Sequence, residues 1–145
     1  MPSQPIASAL SDIIDTLAAI RSLHAFSSAL AAAGLLRRLR IGGRFTVFAP
    51  TDAAFGRIDE HVMHRWLLPE RKAQLLGVLI YHILPGRLPA AEIIKASSAR
   101  TIQGTPLTIR FAEGRMHVNN AAVIQCDIEC SNGFIHIIDT VLTTK

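Results

Sequence analysis

Aromatic residues are scarce in this chain: six Phe, one Tyr and one Trp among 145 residues. Half of the residues are nevertheless hydrophobic, so the core has to be built mostly from Ala, Leu, Ile and Val. Cysteine is nearly absent, with only Cys126 and Cys130. On a strand, four residues at ~3.3 Å each separate the two by ~13 Å. A disulfide needs Cα atoms within ~7 Å, so the two cannot pair there, and the alternation of the segment predicts two buried free thiols. Long apolar runs are missing as well. Mean hydropathy is +0.33, yet no stretch approaches the ~20 residues of a membrane helix, and no transmembrane segment is expected. The start, MPSQPIASAL, has no basic leader followed by an apolar block and does not read as a signal peptide.

Local signatures of chemistry are also lacking. No GxxxxGK[ST] run supplies a phosphate loop, and no GxSxG supplies a nucleophile elbow. His61 and His64 stand three apart on an expected short helix, but nothing beyond Asp59 and Glu60 would complete a metal shell nearby, and they read as exposed polar residues. Cys126, Cys130 and His136 are too spread along strands to share a tetrahedral zinc. No cofactor and no catalytic residues are expected; small-molecule carriage or hydrolysis, the remaining alternative, would need an apolar cavity with converging polar groups near His82, His117 or His136.

What is present is a clear order of elements. Residues 1–11 read as a lead-in and 12–145 as one domain. Leu10, Ile13, Ile14, Leu17 and Ile20 share one helical face. Ser22 suits the cap of a second helix with Leu23, Phe26, Leu30 and Ala33 inward, and Gly34 suits its stop. Phe45 to Ala49 reads as a buried strand halted by Pro50, after which Thr51 caps a helix with Asp52 in its first turn and Phe55 as its anchor. Asp59 to Leu67 reads as a short helix. A further helix is expected from Pro69 to about Leu84, with Leu76, Leu79, Ile80 and Ile83 inward, and another over Pro89 to Ala96.

From Arg100 the period changes from 3.6 to 2. Leu107, Ile109 and Phe111 alternate with polar neighbours, Glu113-Gly114 marks a hairpin, and Met116 and Val118 continue the pattern. After a turn at Asn119-Asn120, Ile124, Cys126, Ile128 and Cys130 are expected on the inner face, with Gln125, Asp127 and Glu129 outside. Asn132-Gly133 signals a tight hairpin, and FIHIIDTVL is apolar on both faces, as in a central strand. Helices with one early strand, followed by a run of antiparallel strands, make an α+β domain.

Two surface features invite partners. Arg37, Arg38, Arg40 and Arg44 carry much of the net charge of +4. They suit an anionic polymer or membrane surface, or simply a solvated turn after a helix, whose negative end favours cations. No aromatic residues interleave with them, so nucleic acid is not an expected partner. Tyr81 and His82 fall away from the inward stripe of their expected helix. Two readings stay open for the pair: a rim contact for a protein partner, or packing against the strand layer with hydroxyl and imidazole satisfied locally.

Three blocks in this order carry a resemblance. TVFAPTDAAF (Thr46 to Phe55, including Phe48, Ala49, Pro50, Thr51 and Asp52), Tyr81-His82 followed by ILPG, and SNGFIHIIDTVL (Ser131 to Leu142, including Asn132, Gly133, His136 and Asp139) are similar to the two signatures and the central motif of the fasciclin-like domain family. The likeness runs from about Asp12 to the end. It implies a wedge of mostly antiparallel strands with helices packed around it. It also implies a non-enzymatic adhesion module, secreted, periplasmic or at a cell surface, whose partner is a protein or glycan of a surface or matrix; a compact single-module chain of this kind looks bacterial and is expected to be a monomer or weak oligomer. The signature residues are expected to be structural. In animal members the Tyr-His motif is linked to integrin binding, which falls here on Tyr81 and His82. A second integrin motif falls on QCDIE, where only Asp127 and Ile128 match and Gln125, Cys126 and Glu129 depart.

Overall fold

The computed structural model describes residues 11–41, 43–57, 72–96, 98–119 and 121–142. Its first third is helical: α1 (Ile13–Ala19), one 3-10 turn (Arg21–Leu23), α2 (His24–Ala32) and α3 (Leu36–Ile41). β1 (Phe45–Pro50) and α4 (Asp52–Gly56) come next, then α5 (Lys72–Ile80), β2 (Ile83–Pro85) and α6 (Ala90–Ala96). The strands β3 (Ser98–Arg100), β4 (Pro106–Ala112), β5 (Arg115–Val118), β6 (Ala121–Cys130) and β7 (Gly133–Ile138) complete the chain. The expected helix over Asp59–Leu67, the Pro69 start, and His61 and His64 lie outside the described residues.

The strands form one sheet in the order β2-β1-β7-β6-β5-β4-β3, antiparallel throughout except for the parallel pair β1 and β7. Just past the β3 edge, the Ile102 N–H donates to the Ile83 carbonyl of β2 at the opposite edge (2.9 Å). The sheet therefore curls until its two edges meet. Its outer face packs on the N-terminal helices through Ile13, Leu17, Phe26, Leu30, Val47, Leu79 and Ile135. Inside the curl lies a second cluster with Phe48, Leu84, Leu107, Ile109, Met116, Val118 and Ile138. With apolar clusters on both sides, β1 is buried along its whole length, and so is most of β7. That is why these two segments read as apolar on both faces.

Local chemistry accounts for the joints. Thr51 accepts from the Ala54 N–H (3.1 Å) and caps α4 as its sequence suggests. Asn132 sits in the β6–β7 turn, accepts from the Ile13 N–H (2.9 Å) and donates to the Leu39 carbonyl (2.7 Å), so one amide ties the hairpin to α1 and α3. Asp139 accepts from the Ala122 N–H (2.9 Å). Thr46 donates to the Gly86 carbonyl and accepts from the Leu88 N–H, both at 2.8 Å, holding the segment before α6 against β1.

Three expectations are corrected. Ser22 does not cap α2: the preceding residues form the 3-10 turn, and the Ala25 N–H donates instead to Asp52 from α4 (2.7 Å). The helix expected to reach Leu84 stops at Ile80, because Ile83 and Leu84 pair with Val47 and Thr46 of β1, and sheet pairing outweighs the helical period there. The β6 alternation breaks at two register shifts, between Val123 and Gln125 and between Gln125 and Ile128. Each shift turns later side chains to the other face. Ile124 and Cys126, expected inside, are exposed, and only Cys130 is a buried thiol.

Candidate interaction site

Tyr81 and His82 sit where α5 hands over to β2, and they are core residues, 4% and 0% exposed. The Tyr81 hydroxyl accepts from the Asn119 side-chain amide (3.0 Å) in the β5–β6 turn. His82 donates from Nδ1 to the Val78 carbonyl (2.8 Å) and accepts at Nε2 from the Leu142 N–H (2.9 Å). Its ring packs 5.8 Å from that of Phe26. Of the two readings left open for this pair, the fold adopts the packed one, with hydroxyl and imidazole satisfied locally. Tyr81→Phe is expected to lower stability by about 1 kcal/mol through the lost hydrogen bond. Thermal melts check this, and cell attachment by the variant is expected to equal that of the wild type.

Asp127 and Ile128 lie at the second β6 irregularity. Asp127 has φ 61, a left-handed conformation uncommon for a residue other than glycine. Its carboxylate accepts from the Ala90 N–H at the start of α6 (2.8 Å), and its own N–H donates to Nδ1 of the buried His136 (3.0 Å). Ile128 is half-buried and packs on the helix-side core. In the basic group, Arg40 bridges Asp12 (3.2 Å) and Asp15 (3.1 Å) of α1. Arg37, Arg38 and Arg44 are exposed.

Among the described residues, the exposed large apolar side chains form a different constellation. Ile94, Phe111 and Ile124, 39%, 58% and 47% exposed, all line one surface groove of ≈ 270 Å³, together with Ala90, Gly114, Arg115, Met116, Val123 and Cys126. α6 supplies one wall, the β4–β5 hairpin the floor, and the bulged start of β6 the other wall. Phe111 lies two residues before the Glu113-Gly114 turn, whose φ values of 57 and 76 reverse the chain past the end of the core. Sequence alternation missed all three residues, although the nearness of Phe111 to a turn is a signal that its strand has outrun the core.

The two buried imidazoles are fully bonded within the fold: both ring nitrogens of His82 and of His136 meet backbone groups. Burial pushes the Cys130 thiol above its ordinary pKa, and partial desolvation together with the neighbouring Asp127 carboxylate does the same for the exposed Cys126, which keeps both protonated and poorly nucleophilic. Among the described residues no three His, Cys, Asp or Glu side chains gather to hold a metal. A second groove, of ≈ 380 Å³ between α1, α2 and α3, is lined by Ile14, Ala18, His24, Ser27, Ser28, Ala31 and Leu36. Neither groove is lined by His82, His117 or His136. No helix among the described residues is long and apolar enough to cross a membrane.

Comparison with known proteins agrees with the fold. The chain is 36% identical over 140 residues to protein sll1483 of Synechocystis, covering 97% of this chain and 77% of that protein. It is 34% identical over 101 residues to the cell surface glycolipoprotein MPB83 of Mycobacterium bovis, covering 70% of this chain but only 44% of that one. The solved FAS1 domain pair from the insect cell adhesion molecule Fasciclin I matches with a TM-score of 0.81 at 20% identity, covering 92% of this chain and 51% of that one; at that identity the match concerns the fold. The Fasciclin domain model matches residues 21–144, and with that match the chain belongs to the fasciclin domain family.

Proposed function

We propose that this domain is a non-enzymatic adhesion module that binds a protein partner at a cell surface or in matrix, and that it does so through the Ile94–Phe111–Ile124 groove. The observation that carries the reading is the gathering of three exposed large apolar side chains in one concavity. Soluble proteins seldom leave such a patch bare without a binding role. The groove is smaller than the ~300–1,000 Å³ typical of small-molecule sites. Its size suits one apolar side chain of a partner, an anchor of the kind that dominates protein interfaces. The cell-surface character of MPB83 supports the same direction. Tyr81 and His82 take part as the scaffold beneath the surface, not as contacts.

Cell attachment tests the reading. Beads coated with the wild type are expected to hold cells of the source organism. Phe111→Asp combined with Ile124→Asp is expected to reduce attachment at least tenfold with an unchanged melting temperature, since both side chains face solvent. Attachment through Arg37, Arg38 and Arg44 would instead survive that change and fall steeply between low and physiological salt.

A further inference from the structure

The two walls of the groove are joined by one hydrogen-bonded chain that runs through a buried imidazole. His136 on β7 is fully buried. Its Nε2 donates to the Leu88 carbonyl (3.0 Å), just before α6. Its Nδ1 accepts from the Asp127 N–H, and the Asp127 carboxylate accepts in turn from the Ala90 N–H, the first residue of α6. Asp127 thus fastens the β6 wall (Val123, Ile124, Cys126) to β7 by its main chain and to the α6 wall (Ala90, Ile94) by its side chain. Its left-handed backbone is strained for a residue with a side chain, so this bulge keeps its shape only while the surrounding bonds hold it.

The central bond requires a neutral ring. A proton on Nδ1 would face the Asp127 N–H, donor against donor. We propose that His136 is an acid-sensitive clasp: protonation of its ring releases the Asp127 bulge and uncouples the two walls of the groove. This inference rests on the groove being the contact face only for its consequence, weaker adhesion in acid; the uncoupling is a property of the domain itself.

The groups around the ring set where the clasp opens. From β6 the Asp127 carboxylate favours the charged ring. On the Phe134 side, Arg87 pairs with Glu129 (2.6 Å) and lies over the Phe134 ring, 4.4 Å from its centre, so those two charges largely offset each other. β1 presents the uncharged Phe48 ring at 5.6 Å. Burial outweighs both the hydrogen bond to the Leu88 carbonyl and the Asp127 charge, and holds the pKa below the ordinary histidine value. The clasp is therefore closed at neutral pH and opens below the usual histidine range.

An NMR titration of the whole chain from pH 7.5 to 4.5 tests this, with far-UV circular dichroism recorded alongside. The His136 ring carbon, the Asp127 and Ala90 amides and the Ile94 and Ile124 methyls are expected to shift with one midpoint while the dichroism stays constant. In His136→Asn, whose side-chain oxygen replaces Nδ1 as a non-titrating acceptor, the Asp127 and Ala90 amides should stay still. Asp127→Asn keeps the Ala90 cap but removes the charge, and should move the His136 midpoint to lower pH. An Asp127 amide that stays fixed while His136 titrates, or that moves only as the dichroism collapses, overturns the clasp; if His136→Asn fails to fold, the wild-type titration and Asp127→Asn still decide. Coupled shifts together with normal attachment by the Phe111/Ile124 variant would leave the clasp standing and reject the groove as the contact face.

Discussion

Gly133→Ala is expected to cost the domain most of its stability. Gly133 opens β7 and pairs with Phe45 across the parallel β1–β7 ladder. A Cβ there would overlap the Phe45 carbonyl oxygen and press on Ile13 Cδ1 at 2.9 Å. The first neighbour is backbone in the middle of the sheet and cannot swing aside as a side-chain tip would. Relief requires separating β1 from β7 at the point where Asn132 also anchors α1 and α3. An expected loss of more than ~4 kcal/mol falls in the rare tail of single substitutions and approaches the ~5–15 kcal/mol that holds a typical domain together. Urea denaturation followed by circular dichroism reads it directly. A variant that folds with a midpoint near that of the wild type would show that the two strands separate easily.

The second large effect is acid destabilisation through His82. Burial lowers its pKa from 6.5 to about 4, only partly opposed by the hydrogen bond to the Val78 carbonyl. The folded state thus favours the neutral ring, which accepts from the Leu142 N–H, whereas the unfolded chain takes up a proton near pH 6.5. The resulting stability is complete above pH 6.5 and declines as pH falls through 6.5 towards 4. At ~1.4 kcal/mol per pH unit, the loss over that window is about 3 kcal/mol. His136, also held low by burial, adds to the slope in the same direction. His82→Phe should be about 2–3 kcal/mol less stable at pH 7, because it strands the Val78 carbonyl and the Leu142 N–H. It should also lose most of the slope between pH 6.5 and 4. A wild type as stable at pH 4.5 as at pH 7 would contradict this burial of a neutral ring.

Much of the fold was legible in the sequence because local chemistry and tertiary structure agree there. Thr51 caps α4, Gly34 (φ 77) ends the helical hairpin, and the period-2 pattern after Arg100 becomes β4 to β7. Where they disagree, long-range pairing prevails. Ile83 and Leu84 complete a helical stripe on paper but join β1 in the sheet. Asp52 serves a cap 27 residues away, which no local pattern announces. The contact site was the least legible part. Tyr81 and His82 look peripheral on a helical wheel that in fact ends at Ile80. Ile124 and Cys126 look internal on a strand whose two bulges no propensity reveals; the one trace is the charged, left-handed Asp127 within it.

The central claim is that this fasciclin domain meets its partner at the apolar groove and not at the arginine-rich turn. Photo-crosslinking compares the two faces in the same experiment. Benzoylphenylalanine is placed at position 111 in one protein and at position 38 in another, and each is irradiated while bound to cells of the source organism. Covalent adducts to a cell-surface protein from position 111, with none from position 38, are the expected result. Adducts from position 38 alone would contradict the account.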